Sequence, residues 1–323
     1  MKKMVLIMLG IILLAGMVAY AGGTKEGTGE FPVKPIKIIV YTKPGGLIDI
    51  TARKFTDIAS KYTDATFVVE NKPGAGGIVA MKYILEETEP DGYTLFAATK
   101  SNISKVVASE GKVDLNGFEW IAMLMADPEC VITNKNSSIR TWEDIVRDAK
   151  EKNGNQIWVG PAAGGLDHVT AMKLWEKAWI KAKWIPFASG GKAIPALLGG
   201  QGVAYVGNPR DTIGKPDLMI AAVSSKERLP QFPDVPTFGE LGIKDFDNEI
   251  MWRGFAVKKG TPEYALKWYD DLFKKVTEDP EWREFWEVGG IDLVYYSTEK
   301  FEKIIEQDVK DFTVYLKKIG MID

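Results

Sequence analysis

Apolar residues fall into short runs separated by glycine-rich or polar turns, and between those runs they recur at helical spacing. Ile36 to Tyr41 is a β-branched run suited to a buried strand. It ends at Lys43-Pro44-Gly45-Gly46, after which Ala52, Phe55, Ile58 and Ala59 mark a helix. The unit returns with Thr66 to Val69, the loop Asn71 to Gly77 and a helix through Met81 and Leu85, then with Thr94 to Ala98 and a helix after Asn102. Beyond the apolar segment Trp120 to Thr133, the pattern predicts a helix from Trp142 to Lys150 and a strand Ile157 to Val159. Gly164-Gly165 then leads into a helix through Met172 and Trp175, followed by a strand Lys183 to Phe187. Ser189-Gly190-Gly191 leads into a helix to Leu198, and strands Val203 to Val206 and Leu218 to Val223 follow. Strands alternating with helices predict an α/β fold whose parallel sheets are covered on both faces.

The pattern changes near the C-terminus. Thr261-Pro262 predicts an N-cap and a first-turn proline, and Ala265, Trp268, Tyr269, Leu272, Phe273 and Val276 form one face of a helix. A short helix around Trp282, a strand Leu293 to Tyr296 and a last helix from Thr298 to about Ile319 complete the chain. This division predicts one lobe from residues 31–125 plus 251–323 and a second from 126–250, with hinge segments near Met125 and Ile250.

The first residues read as an address. Lys2 and Lys3 precede an apolar stretch from Met4 that closes on Ala19-Tyr20-Ala21, a basic start, an apolar centre and a small-x-small site. We expect a cleavable export signal over residues 1–21, cut after Ala21, and a flexible leader over 22–30. An uncleaved anchor is the other reading of this apolar length. Met17 stands where a lipoprotein needs cysteine, so no lipid anchor is expected. The expected location is periplasmic or otherwise extracytoplasmic.

Composition narrows the chemistry. The 323 residues are 46% hydrophobic and 26% charged, close to the globular average, so a disordered or low-complexity chain is excluded. One cysteine, Cys130, and one histidine, His168, exclude a disulfide framework and a multi-histidine or cysteine-based metal site. A net charge of −3 gives no footprint for nucleic acid. Cys130 is expected to be a buried small hydrophobe, and His168, in the first turn after Gly164-Gly165, a capping or packing residue. Gly74-Ala75-Gly76-Gly77 follows an Asn-Lys-Pro loop and is not a dinucleotide fingerprint. There is no GxSxG elbow, phosphate loop or HExxH, so neither an enzyme nor a cofactor is expected, although a carboxylate-pair hydrolase stays open.

Three glycine turns follow strands: Pro44-Gly45-Gly46, Gly164-Gly165 and Ser189-Gly190-Gly191. Each alone is an ordinary helix entry. Repeated on both sides of a cleft, they place helix N-termini, with free amides and partial positive charge, where a carboxylate or phosphate binds in open α/β sheets.

The same segments carry a resemblance. YTKPGGLID (41–49), VENKPGAGG (69–77), PDGYTL (90–95), ALLGGQ (196–201), FPDVPTFGELG (232–242) and WRGFAVKKGTP (252–262) stand in the order found in Bug-type receptors. The chain thus resembles the extracytoplasmic solute receptors of tripartite tricarboxylate transporters, from Phe31 to the final helix. The resemblance implies a periplasmic-binding-protein-like (type II) fold of two α/β lobes joined by a hinge. It also implies a small organic acid as ligand, be it a di- or tricarboxylate, an acidic amino acid or an aromatic acid, and membrane permease subunits as partners. A sensor kinase is the other partner such a receptor would serve. By resemblance, Gly45 and Gly46 expose amides to a carboxylate beside Lys43 and Pro44, and Asp49 orders that loop or bridges through water. Ser101 and Asn102 are ligand contacts or helix caps. Gly164, Ser189, Gly190 and Gly191 contribute from the second lobe, with Asn208 beside them. Lys43, Lys192, Arg210 and Arg253 depart from the family pattern; they suit a ligand with more than one carboxylate or are solvated charges.

Overall fold

The structure, a computed structural model, describes residues 31–187, 189–247, 249–287 and 291–323. The chain separates into two units, Met1–Val33 and Lys34–Asp323, and the fold is that of the second. The export signal and leader expected over residues 1–30 lie outside the described residues.

Two sheets with flanking helices form the expected α/β architecture. Three strand–helix units open the first: β1 (Ile36–Val40) and α1 (Leu47–Ala59), β2 (Phe67–Asn71) and α2 (Ile78–Glu87), β3 (Thr94–Thr99) and α3 (Lys100–Val107). β1 lies between β2 and β3, parallel to both, and its core positions Ile36, Ile38, Ile39 and Val40 are fully buried. A continuous apolar run is what a strand covered on both faces requires. β4 (Phe118–Pro128) and the much later β10 (Ile250–Lys258) and β11 (Asp292–Ser297) complete a sheet of order β11-β4-β10-β3-β1-β2, with β10 antiparallel to β3 and β4.

The second sheet repeats this scheme. β5 (Cys130–Asn134) and α4 (Trp142–Lys152) precede β6 (Gln156–Pro161), α5 (Leu166–Lys177), β7 (Ala182–Phe187), α6 (Gly190–Leu198), β8 (Ala204–Gly207) and β9 (Leu218–Val223). The order is β7-β6-β8-β5-β9, with β6 parallel to β7 and β8, and β5 antiparallel to β8. In each sheet, the strand that enters from the other one pairs antiparallel with the third strand. One residue, Glu129, separates β4 from β5, and Ile250 of β10 pairs with Pro128. The carboxyl ends of β1, β3 and β4 therefore converge with those of β6 and β8 around residues 128–130 and 249–250.

Three local expectations are corrected. The apolar segment after Trp120 is two strands broken by the buried charge of Glu129. β10 was not legible as a strand: it is buried on both faces, carries Arg253 and Gly254, and its register shifts between them. Gly254 is required there, because a Cβ would lie 2.3 Å from the Ala122 carbonyl oxygen and 2.8 Å from the Phe301 ring. Thr261 is not an N-cap; its hydroxyl donates to the Lys258 carbonyl, and α7 (Glu263–Glu278) begins after Pro262.

α8 (Pro280–Glu287) and α9 (Thr298–Lys318) finish the fold. One apolar cluster is not confined to one sheet. Leu166, Val169 and Met172 of α5 share it with Trp252, Phe301, Phe312 and Leu316, so α9 is packed from both sides. The second sheet has its own clusters, around Trp142, Trp158 and Phe238 on one face and Ile132, Val159, Ile194 and Tyr205 on the other. Cys130 is buried and free, as expected. Among the described residues, no helix is long and apolar enough to cross a membrane.

Candidate functional site

The first-sheet loop is built from inside by Asp49. Only 2% exposed, its carboxylate accepts from the Gly45 amide at 2.9 Å, from Asn71 Nδ2 at 2.9 Å and from Arg53 Nε at 3.1 Å. Burial pushes this carboxyl up, but Arg53, the Gly45 amide and Asn71 outweigh it and hold it below the usual range. Asn71 also donates to the Thr42 carbonyl at 3.0 Å. Gly45 takes φ +84°, a conformation that favours glycine. The Gly45 N–H, expected to face a ligand, donates to Asp49 in this structure. Gly46 N–H makes a longer turn bond of 3.3 Å to the Lys43 carbonyl. The amides of Leu47, Ile48 and Asp49, in the first turn of α1, have no carbonyl four residues earlier within the helix. Lys43 and Pro44 are exposed beside them.

The turn after β3 divides its residues between buried and partly exposed positions. Asn102 is fully buried; its oxygen accepts from the Thr99 amide at 2.8 Å and its Nδ2 donates to the Gly76 carbonyl at 2.8 Å. Asn102 is thus a cap that ties two loops together, the second of its two expected roles. Ser101 is partly exposed, and its hydroxyl has only a 3.9 Å contact to Met251 Sδ. Lys100 is buried and paired with Asp308 at 2.9 Å, and Asp308 also accepts from Trp252 Nε1 at 2.7 Å. Arg253, on β10 opposite Thr99, pairs with buried Asp127 at 2.6 Å, so it is a structural cation rather than a solvated one.

At the second sheet, both backbone groups of Gly164 are hydrogen-bonded within the chain. Its N–H donates to His168 Nδ1 at 3.1 Å, its carbonyl accepts from Ser104 Oγ at 2.6 Å, and a Cβ would strike Leu316 and Met321. Glycine is required here by packing against α9. His168 stacks on Trp184 with centroids 5.0 Å apart, and burial lowers its pKa to about 4, so the ring is neutral. Ser189, Gly190, Gly191 and Lys192 form the N-terminus of α6, with Ser189, Gly191 and Lys192 exposed. Gly190 leaves room for Tyr205, whose hydroxyl would lie 2.5 Å from a Cβ. Asn208 Nδ2 donates to the Pro128 carbonyl at 3.0 Å and to Glu129 Oε1 at 3.1 Å, clamping the turn after β8 to the crossing between the sheets.

Arg210 differs from the other candidate cations. Its Nη1 is buried without a hydrogen-bond partner, its guanidinium lies 5.9 Å from the Trp286 ring of α8, and it is held near Asp127, Asp211 and Arg253. The structure thus brings the first-turn amides of α1 and the side chains of Ser101, Asn208 and Arg210 to the converging strand ends, with the α6 N-terminus beyond Tyr205. It commits Asp49, Asn102, Gly164 and Arg253 to scaffolding. Sequence reading passed over Glu129, Asp167, Tyr205 and Asp211 at the same ends. An acid breaking an apolar run, as Glu129 does between Pro128 and Cys130, was the available signal.

Comparison with known proteins follows this geometry. The family described as "Tripartite tricarboxylate transporter family receptor" matches residues 51–321. A UPF0065 protein of the gbd 5′ region of Cupriavidus necator is 28% identical over 320 residues, covering 95% of this chain and 93% of its own. A TctC solute-binding protein from Polaromonas superposes with a TM-score of 0.77 at 26% identity, over 90% of this chain and all of that one. The MatC protein of Rhodopseudomonas palustris, solved with bound malate, shares the fold with a TM-score of 0.72 at 21% identity, over 88% of this chain and 99% of its own.

Proposed function

We propose, from the premise that this chain belongs to the tripartite tricarboxylate transporter receptor family, that it is an extracytoplasmic receptor for a small organic acid. It would bind the acid between two lobes and deliver it to the membrane subunits of a transporter. The observation that carries the reading is Arg210: a guanidinium with a buried, unpartnered Nη1, placed where the carboxyl ends of both sheets converge. A buried donor left unmade is costly, and a ligand carboxylate is the partner that offsets the cost. The bound malate of the MatC protein supports the same chemical class.

The parts then have distinct tasks. Arg210 holds the carboxylate by charge, while the first-turn amides of α1 and the Ser101 hydroxyl complete its hydrogen bonds. Asp49 fixes the Lys43–Gly46 loop without touching the ligand. Ser189, Gly190 and Gly191 approach from the α6 N-terminus as the lobes close, and the lobes are residues 31–128 plus 250–323 and 130–249, since β4 runs on to Pro128. The hinge is the pair of crossings at residues 128–130 and 249–250. Ligand that bridges both lobes binds the closed form better and so shifts the population toward it. The assignment is to binding without turnover.

The test is a thermal-shift and calorimetric screen of the purified protein against mono-, di- and tricarboxylates, with neutral sugars as controls. Ligand at a hundredfold its Kd stabilises by about 2.7 kcal/mol, a shift of several degrees. Stabilisation by acids alone, lost in Arg210→Met, supports the receptor; equal response to sugars, or none to any acid, overturns it. Intact mass of the exported chain checks the cut after Ala21, and co-purification with co-expressed permease subunits checks the partner.

A further inference from the structure

The second-sheet side of the cleft is acidic, and three separate elements make it so. Asp167 stands in the first turn of α5 after β6, Asp211 in the turn after β8, and Glu129 at the entry to β5. Their orientation is built. The Tyr205 hydroxyl donates to Asp211 Oδ2 at 2.9 Å, and the Asn208 amide donates to the same oxygen at 3.2 Å. Asn208 Nδ2 holds Glu129 Oε1 at 3.1 Å.

Two further observations point to something that these groups receive. Glu129 is 0% exposed, yet its Oε2 has no hydrogen-bond partner. Burial acts most strongly against its ionisation, and the charge of Asp167 adds to it. Among the described residues, no lysine or arginine forms an ion pair with Glu129, Asp167 or Asp211; Lys100, which attracts Glu129, is itself paired with Asp308 at 2.9 Å. Burial, with Asp211 beside it, pushes Asp167 up to about 7, and burial and Asp167 together push Glu129 well above the carboxylate range. None of the three carboxyls has a directly paired cation among the described residues: Lys100 acts on Glu129 and Arg210 on Asp211 only from a distance. A bound cation relieves such a group, whereas a second ligand carboxylate set against it is repelled.

We propose that the ligand carries a protonated amine as well as a carboxylate, and that Glu129, Asp167 and Asp211 receive the ammonium while Arg210 receives the carboxylate. This rests on the reading of the chain as a carboxylate receptor and narrows its substrate class to amino acids in the broad sense. An ammonium has three donors and no acceptor. Glu129 Oε2 and the Asp167 and Asp211 carboxyls are acceptors on three elements around it. A dicarboxylate of the same length satisfies Arg210 but sets its other end against all three acids.

The experiment is calorimetric titration with matched series. α- and ω-amino acids of two to six carbons are each compared with the acid lacking nitrogen and with the dicarboxylate of the same chain length. The proposal expects at least one amino member to bind tenfold or more tighter than both counterparts. It also expects Asp167→Asn and Glu129→Gln each to weaken that ligand at least tenfold, with circular dichroism unchanged. Because Glu129→Gln alters a fully buried group, the surface-nearer Asp167→Asn keeps the test decisive if the former fails to fold. Tighter binding of a dicarboxylate than of every amino member, or full affinity in Asp167→Asn, overturns this proposal and leaves the receptor standing. Failure of every acid to bind removes the receptor reading itself.

Discussion

Replacing Asp49 by alanine removes one acceptor from three donors, and the structure sets the size of the effect. The Gly45 amide and Asn71 Nδ2, both at 2.9 Å, lose charge-assisted bonds of about 1.5 kcal/mol each. Arg53 is 51% exposed, so its pair is screened and adds only about 0.5 kcal/mol. Gly45 is exposed, and water satisfies its freed amide. The sum is roughly 3 kcal/mol, read by urea unfolding, or about 6 °C in Tm for a chain of this size. The freed loop loses its fixed course beside α1, so affinity for the carboxylate ligand should fall tenfold or more by calorimetry. Asp49→Asn, which keeps one acceptor oxygen, should lose about half as much stability. Because the Asp49 carboxyl is held below its ordinary value of 3.8, its contribution is present above that value and disappears as pH falls through the folded-state pKa. A variant Asp49→Ala within 2 °C of wild type (about 1 kcal/mol) and of unchanged affinity would refute the assignment of Asp49 as the loop's anchor.

Other outcomes follow from the same geometry. Gly46→Val should abolish carboxylate binding with near-normal circular dichroism, because Gly46 has an ordinary φ of −67° but a Cβ would meet Thr42 Oγ1 at 2.7 Å; wild-type affinity would count against the loop as a binding element. Asn102→Ala should cost roughly 2 kcal/mol in urea unfolding, since the buried Thr99 amide loses its partner. Asp167, raised to about 7, stabilises the fold while protonated in both states, below pH 3.8; that contribution shrinks as pH rises and is gone above 7. Unliganded protein should therefore lose about 4 kcal/mol relative to Asp167→Asn between pH 4 and 8, and a flat difference in Tm across that range would contradict the burial of this carboxyl. His168, lowered to about 4, acts oppositely: its contribution is whole above pH 6.5 and lost as pH falls through 4, so His168→Gln should flatten the acid limb of the Tm–pH curve.

The alternation of strands and helices was legible because parallel strands such as β1 are uninterrupted apolar runs and α7 shows one clean apolar face. β10 was not, since Arg253 and Gly254 sit inside it for tertiary reasons: one pairs with Asp127 across the sheet, the other gives way to Phe301. The turns were visible as glycine clusters, but the purpose of each glycine was not. Gly45 and Gly164 serve a positive φ, Gly164 also lies against Leu316 and Met321, and Gly190 makes room for Tyr205, so one sequence signature covers different causes. Asn102 and Asp49 looked like contacts because their partners, Gly76 and Asn71, lie more than twenty residues away. The acids of the second sheet escaped notice because Glu129, Asp167 and Asp211 come together only through the order of β5, β6 and β8.

The apolar cluster that joins α5 to α9 also governs how the molecule comes apart. Leu166, Val169 and Met172 share a cluster with Phe312 and Leu316, residues almost one hundred and fifty positions downstream, so part of the second half's interior is closed by the last helix. Calorimetry of this two-sheet protein should show one endotherm with matching van't Hoff and calorimetric enthalpies, not two. A fragment cut at Glu129 and Glu249 would present a bare greasy stripe to water and aggregate. The last helix, reached only at the end of synthesis, thereby makes completion of the chain a condition for either half to be stable.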